Sequence, residues 1–190
     1  MIRTQAVLPR ILSQQASLKQ SEWIMNVVTV GLGVSIIALL AQVSISLPFT
    51  PVPITGQTFG VALISLLWGW KRAVATTLAY LTLGAAGLPI FALGKTGLMM
   101  GPTLGYLVGM VIASLWMGFL ADRGWTKSFL KSWIAATSGS VIVFTFGLFV
   151  LSFFVPSSGL LMAGLFPFIP GDIIKTLLVA TFVSQADQRI

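Results

Sequence analysis

Cysteine and histidine are both absent from this 190-residue chain, and only four carboxylates occur: Glu22, Asp122, Asp172 and Asp187. Their scarcity excludes disulfides, thiol nucleophiles, imidazole acid–base chemistry and zinc sites of the usual ligand type. Charge is rare altogether, at 8% of residues, while 56% are hydrophobic and the mean hydropathy is +0.99. A soluble domain of this length needs far more charge to cover its surface. The bilayer is the solvent that suits such a composition. With roughly 20 residues per spanning helix, the chain has room for about six crossings in one domain.

The charge that is present is mostly positive, with a net value of +7. The basic residues stand singly or in small groups at the ends of apolar runs. That distribution is a topology signal and not a phosphate-binding stripe, so nucleic acid is excluded as a partner. Residues 1–22 are polar and mildly basic, and the apolar run after them is too long for a signal-peptide core. They read as a short cytoplasmic lead to a single membrane domain over 23–190.

Charges and Pro/Gly clusters divide the rest into six apolar segments: 27–47, 58–70, 73–93, 104–121, 132–155 and one broken at 167–172 that continues to 183. The fold class expected is therefore an all-α integral membrane bundle of six helices. With the N-terminus inside, the inner face collects Arg3, Arg10, Lys19, Lys71, Arg72, Arg123, Lys127, Lys131 and Arg189, leaving Lys95 and Lys175 outside. This bias predicts a multi-pass protein of the cell membrane with both termini cytoplasmic.

The second segment is short. Thirteen residues rise about 20 Å as a helix, less than the roughly 30 Å hydrocarbon core. Three irregular stretches, 48–57, 84–103 and 167–172, share the outer side. Non-helical backbone at membrane depth is tolerated only where protein buries it or where it lines a cavity, and such breaks mark solute sites. No internal repeat is evident.

The most pointed feature is Pro170-Gly171-Asp172-Ile173-Ile174-Lys175. Pro170 suits a first helical turn, Asp172 then lies near the positive helix end, and Lys175 shares its face. Ionisable residues at membrane depth are costly and point to function; the structural alternative is a self-neutralising pair in which Asp172 caps the helix. Thr50, Thr55, Gln57 and Thr58 add neutral hydrogen-bonding groups from the Pro-rich stretch, whose plain alternative is a stiff external turn. Tyr106 joins them as an aromatic near the Gly-rich run 94–103. Gly31 with Ser35, and Ala75 with Ala79, have the small-residue spacing of close helix contacts.

The run Pro48-Phe49-Thr50-Pro51-Val52-Pro53-Ile54-Thr55 followed by Gln57-Thr58 resembles the signature of the BioY family, the biotin-specific S components of energy-coupling factor (ECF) transporters. Three more stretches match in order: Gly84 to Ala92, then Gly101-Pro102-Thr103 with Gly105-Tyr106, and finally Pro167 to Asp172 with Lys175. The likeness extends over about residues 30–185. It implies a six-helix S component that captures biotin from outside, working with a membrane T component and two ATPase subunits. It also implies that Asp172 and Lys175 contact the ligand, with the Pro-rich loop as a lid; Gln57, Thr50, Thr58 and Tyr106 complete the expected binding set. Lys95 departs from a stretch that is neutral in the family pattern, and the Ala-x-x-x-Ala docking signature of the first helix is not clean.

No Gly-rich phosphate loop ending in Gly-Lys-Ser/Thr occurs, so ATP hydrolysis by that route is outside this chain, and no cofactor is expected. The ureido ring, apolar thiophane ring and carboxylate tail of biotin suit a carboxylate and an ammonium on one face. An S component for another small vitamin fits similar chemistry. A membrane-embedded enzyme acting on lipid is disfavoured, because no nucleophile–base pair can be assembled from four scattered carboxylates. A structural scaffold would leave Asp172 and Lys175 unexplained.

Overall fold

A computed structural model of the chain describes residues 6–8, 22–97 and 101–188. Most of the lead over 1–22 lies outside them, as do Arg3, Arg10, Lys19 and Arg189. The described chain is mostly helical. In order, α1 is Glu22–Gln42, β1 Ser44–Ile45, β2 Ile54–Thr55, α2 Gln57–Ala85, α3 Leu104–Asp122, α4 Phe129–Leu151, α5 Leu160–Gly164 and α6 Ile169–Gln188. Short 3-10 turns occupy Ala92–Gly94, Trp125–Lys127 and Ser157–Gly159.

Four stretches are long and apolar enough to cross a membrane: Trp23–Gln42, Leu104–Asp122, Phe129–Leu151 and Ser157–Gln188. Their outward residues are large and apolar, as a lipid-facing surface requires; on α6 these are Ile173, Ile174, Leu177, Leu178 and Phe182. Burial differs between them, at 22% of the best α1 window against 56% for α3. Thus α1 packs at the edge of the bundle and α3 near its centre. Neighbouring pairs are α1 with α2, α2 with α3, α3 with α4, and α4 with α6.

Two of the expected segments, 58–70 and 73–93, are not separated by a loop. The first and the part of the second up to Ala85 lie within α2, which breaks at Gly69, where φ is 77° and ψ 171°; residues 86–93 leave the helix. That conformation is essentially open only to glycine. The chain folds back on itself there. Gln57 Nε2 donates to Tyr80 Oη at 2.6 Å, whereas 23 residues of straight helix would separate them by about 35 Å. A Cβ at Gly33 would likewise meet both Trp68 and Thr76. The arms 57–68 and 70–85 thus run as a helical hairpin, each shorter than a full span by length alone.

Asp122, at the end of α3, caps the second arm by accepting the Trp70 N–H at 3.3 Å. A side chain at Gly69 would collide with that carboxylate and touch Ala6, which is fully buried. Glycine also sets the α3–α4 spacing. A Cβ at Gly105 would meet the Phe146 carbonyl, and one at Gly109 would meet Val143 Cα at 2.9 Å, so the two backbones approach through a Gly-x-x-x-Gly face.

The expected all-α class needs one addition. β1 and β2 pair antiparallel, with Ser44 opposite Thr55 and Ile45 opposite Ile54. Pro51 and Pro53 cannot donate ladder bonds, so the pair stops there and the Pro-rich stretch becomes the tip of a hairpin over the bundle end.

Candidate functional site

All three irregular stretches meet at one end of the bundle. Gln42, closing α1, donates to the Phe91 carbonyl and accepts from Gly94 N–H, both at 3.2 Å. Gly97 N–H donates to the Gly84 carbonyl at 2.8 Å. Thr50 donates to the Ala163 carbonyl at 2.6 Å and accepts from Val52 N–H at 3.1 Å. Between these anchors lies a cavity of about 380 Å³, within the range of small-molecule sites.

Its walls are largely apolar. Phe91, Tyr106, Met110, Val143 and Phe168 line it, with Val52 above. Phe168 packs against Tyr106 and Phe144, with centroids 6.4 Å apart in each case. Tyr106 is fixed at its far end by donating to the Gly164 carbonyl at 2.8 Å, and its ring occupies the space that Gly147 leaves open.

The buried polar groups stand on α6 and the start of α2, with Lys95, Thr96 and Thr103 contributed by the stretch before α3. Asp172 stands in the first turn of α6, its own N–H bonded to the Phe168 carbonyl. Its Oδ1 accepts from Ser140 on α4 at 2.8 Å; among the described residues Oδ2 accepts no hydrogen bond. Lys175, one turn on, donates to the Thr55 carbonyl at 2.8 Å and to Thr58 Oγ1 at 3.3 Å. Each of these half-buried charges is also held by another element. Gln57 is buried and serves as a strut: its Oε1 accepts from Thr55 Oγ1 at 3.1 Å, and Tyr80, to which it donates, in turn donates its O–H to the Ile90 carbonyl at 3.0 Å.

Five of the six residues expected at the site therefore line one cavity: Asp172, Lys175, Gln57, Thr58 and Tyr106. Thr50 does not line it; its hydroxyl pins the Pro-rich hairpin to α5. Sequence reasoning missed Ser140, whose serine side chain within an apolar helix is commonplace until α6 is seen beside it. It also left Lys95 without a role. Lys95 lines the cavity from an exposed position on the turn where Leu93 is left-handed with φ 62°.

Opposite this end, Lys71, Arg72 and Arg123 cluster around the Gly69 reversal. Lys95 and Lys175 are thus segregated from that basic end, as the charge count along the sequence anticipated. The described structure is a helical membrane protein with a partly open, mostly apolar cavity at one end, its buried polar groups on α6 and the start of α2.

The BioY family model matches residues 12–190, and the chain belongs to that family. A biotin transporter BioY of Thermotoga maritima is 37% identical over 139 residues, covering 72% of this chain and 81% of that one. A second, from Rhizobium etli, is 35% identical over 156 residues, covering 76% and 83% respectively. The crystal structure of the S-component for biotin from an ECF-type ABC transporter superposes with a TM-score of 0.81 at 27% identity, covering 90% of this chain and 95% of that chain.

Proposed function

We propose that this chain is the membrane-embedded, biotin-binding S component of an ECF-type transporter. One observation carries the reading. All four stretches that resemble the BioY signature send residues into the same cavity: Gln57 and Thr58 from the first, Phe91 from the second, Tyr106 from the third, and Asp172 with Lys175 from the fourth.

The cavity chemistry matches biotin group by group. Asp172 Oδ2 is open to accept a ureido N–H, a charge-assisted bond of the stronger kind. Lys175, held beside it, meets the ureido oxygen. The Phe91, Tyr106 and Phe168 surfaces suit the thiophane ring. Lys95, exposed at the rim, meets the tail carboxylate. The Pro-rich hairpin, pinned through Thr50, forms the lid.

Six crossings follow if α1, the two arms of α2, α3, α4 and α6 each traverse the bilayer. That even number puts both termini on one side, and the Lys/Arg distribution makes that side cytoplasmic. Biotin then enters from outside. The chain lacks a phosphate loop, so energy comes from two ATPase subunits through a T component. Gly31, beside which nothing lies within 4 Å, and exposed Ser35 leave one face of α1 open for that contact.

The test is ligand-dependent thermal unfolding of the purified full chain in detergent. Free biotin at 100 times its dissociation constant stabilises the folded state by about 2.7 kcal/mol, so the midpoint rises with biotin concentration. Thiamine and riboflavin leave it unchanged. A shift with either of those and none with biotin would assign the cavity to another vitamin.

A further inference from the structure

α1 ends on Gln42, an exposed residue that does not line the solute cavity. Both polar atoms of its amide are nevertheless engaged. Nε2 donates to the Ala38 carbonyl one turn back and to the Phe91 carbonyl, each at 3.2 Å, and Oε1 accepts the Gly94 N–H at 3.2 Å. The first bond is ordinary at a helix end, where carbonyls lack intrahelical partners. The other two reach 49 and 52 residues along the chain and close on a single turn.

That turn, Phe91 to Lys95, is costly backbone. Leu93 has φ 62° and ψ 27°, and among the described residues no other non-glycine has a positive φ. A bulky residue in the left-handed region is strained, and such strain persists only where the surroundings over-determine it. Within the turn, Phe91 N–H donates to the Lys95 carbonyl at 3.2 Å and Lys95 N–H to the Ala92 carbonyl at 3.3 Å. Leu93 is exposed and outside the cavity, so burial of its side chain does not hold the shape. Gln42 supplies the tie from another helix.

The two ends of the turn differ in what else fixes them. Phe91 is placed without Gln42: its ring meets Tyr80 edge-on, with centroids 5.4 Å apart, and occupies the space beside Gly84. The adjacent Ile90 carbonyl accepts from Tyr80 as well. Lys95 follows the strained residue, and its next anchor is Gly97, whose N–H donates to the Gly84 carbonyl at 2.8 Å. The clamp on Gly94 therefore acts mainly on Lys95.

We propose that Gln42 is a positioning residue for the solute site: its side-chain amide holds the strained Phe91–Lys95 turn closed and so sets Lys95 at the cavity rim. The consequence for the ligand rests on the reading of the cavity as a biotin site with Lys95 at the tail carboxylate. A site whose lysine is loose still binds, at an affinity reduced by the fraction of molecules in which the turn is formed.

The test compares the wild type with Gln42→Ala, Lys95→Gln, both together, and Gln42→Ala with Leu93→Gly, each as the full chain in detergent. Hydrogen exchange across residues 91–97, read by mass spectrometry without ligand, reports the turn. Affinities for biotin and biotin methyl ester report the site. Gln42→Ala exchanges faster over 91–97 and weakens biotin roughly three- to tenfold, the worth of one net hydrogen bond, while the methyl ester binds as before. In a Lys95→Gln background the same change costs biotin nothing further. Leu93→Gly relieves the left-handed strain and restores both slow exchange and biotin affinity to the Gln42→Ala chain, a rescue that a residue anchoring only α1 would not show. Unchanged exchange in Gln42→Ala, equal losses for biotin and its methyl ester, or no rescue by Leu93→Gly would overturn the positioning role. Absence of biotin binding by the wild type would overturn the reading of the cavity instead, and exchange with its rescue would still decide whether Gln42 holds the turn.

Discussion

Asp172 lines the cavity with its Oδ1 held by Ser140, and in the proposed reading its second oxygen serves the solute. Asp172→Asn replaces a charged acceptor with an amide that presents a donor to a ligand N–H. Losing such a bond costs about 1.5–3 kcal/mol, near 10- to 150-fold in dissociation constant. Exchanging the pair, Asp172→Lys with Lys175→Asp, binds biotin no better, because the ligand's donors and acceptors are fixed in space. Biotin affinities of both variants, each monodisperse in detergent, check this; a folded exchange variant with wild-type affinity would return the pair to a capping role. Lys95 is tested by its ligand. Lys95→Gln weakens biotin but leaves biotin methyl ester, which has no carboxylate, as tightly bound as before, and equal loss for both would remove the tail contact.

At this scale the sequence reveals residue types better than residue duties. Asp172 and Lys175 stand out because charge at membrane depth is costly. Gln57 and Thr50 stand out for their polarity, yet one is a strut to Tyr80 and the other a pin to Ala163. Those partners lie 23 and 113 residues away, and no local pattern marks them. Ser140 escapes notice for the same reason.

Among the elements, the reversal of α2 decides how the site is assembled. It brings Gln57 back beside Tyr80, and with it the loop that supplies Phe91. Gly69→Ala forces a Cβ into a backbone region kept for glycine, at about 1–3 kcal/mol, and into Asp122 besides. Thermal unfolding in detergent should show a lower midpoint for Gly69→Ala and little change for Gly31→Ala, where space is open. Equal midpoints for Gly69→Ala and wild type would contradict the hairpin. The apolar runs on either side of Lys71-Arg72 are plain in the sequence, and so is the shortness of the first. The turn itself is not, since a single glycine before two cations has no turn signature, and its conformation is imposed by Asp122 on another helix. The two-residue strands are likewise below any periodic signal; their pairing follows from the prolines that end it.

For the whole molecule, composition alone makes the bilayer the solvent, and four motifs in their order along the chain make the family legible from the amino acids themselves. Orientation rests on the cation count. The chain has no native cysteine, so single substitutions report cleanly. Lys127→Cys should react with an impermeant maleimide only from the cytoplasm, and Thr96→Cys, at the rim of the solute cavity, only from outside. The reverse pattern at both positions would turn the cavity toward the cell interior and contradict uptake from outside.

The central claim is that the cavity under the Pro-rich hairpin is a biotin site. Equilibrium binding of radiolabelled biotin to the purified full chain in detergent tests it most directly. Saturable binding to one site per chain is expected. A ring-opened diamino analogue lacks the ureido carbonyl and leaves buried polar groups unpaired, at about 1–3 kcal/mol, so it should compete roughly 5- to 150-fold less well. Absence of saturable biotin binding by folded protein, or equal competition by the analogue, would contradict the account.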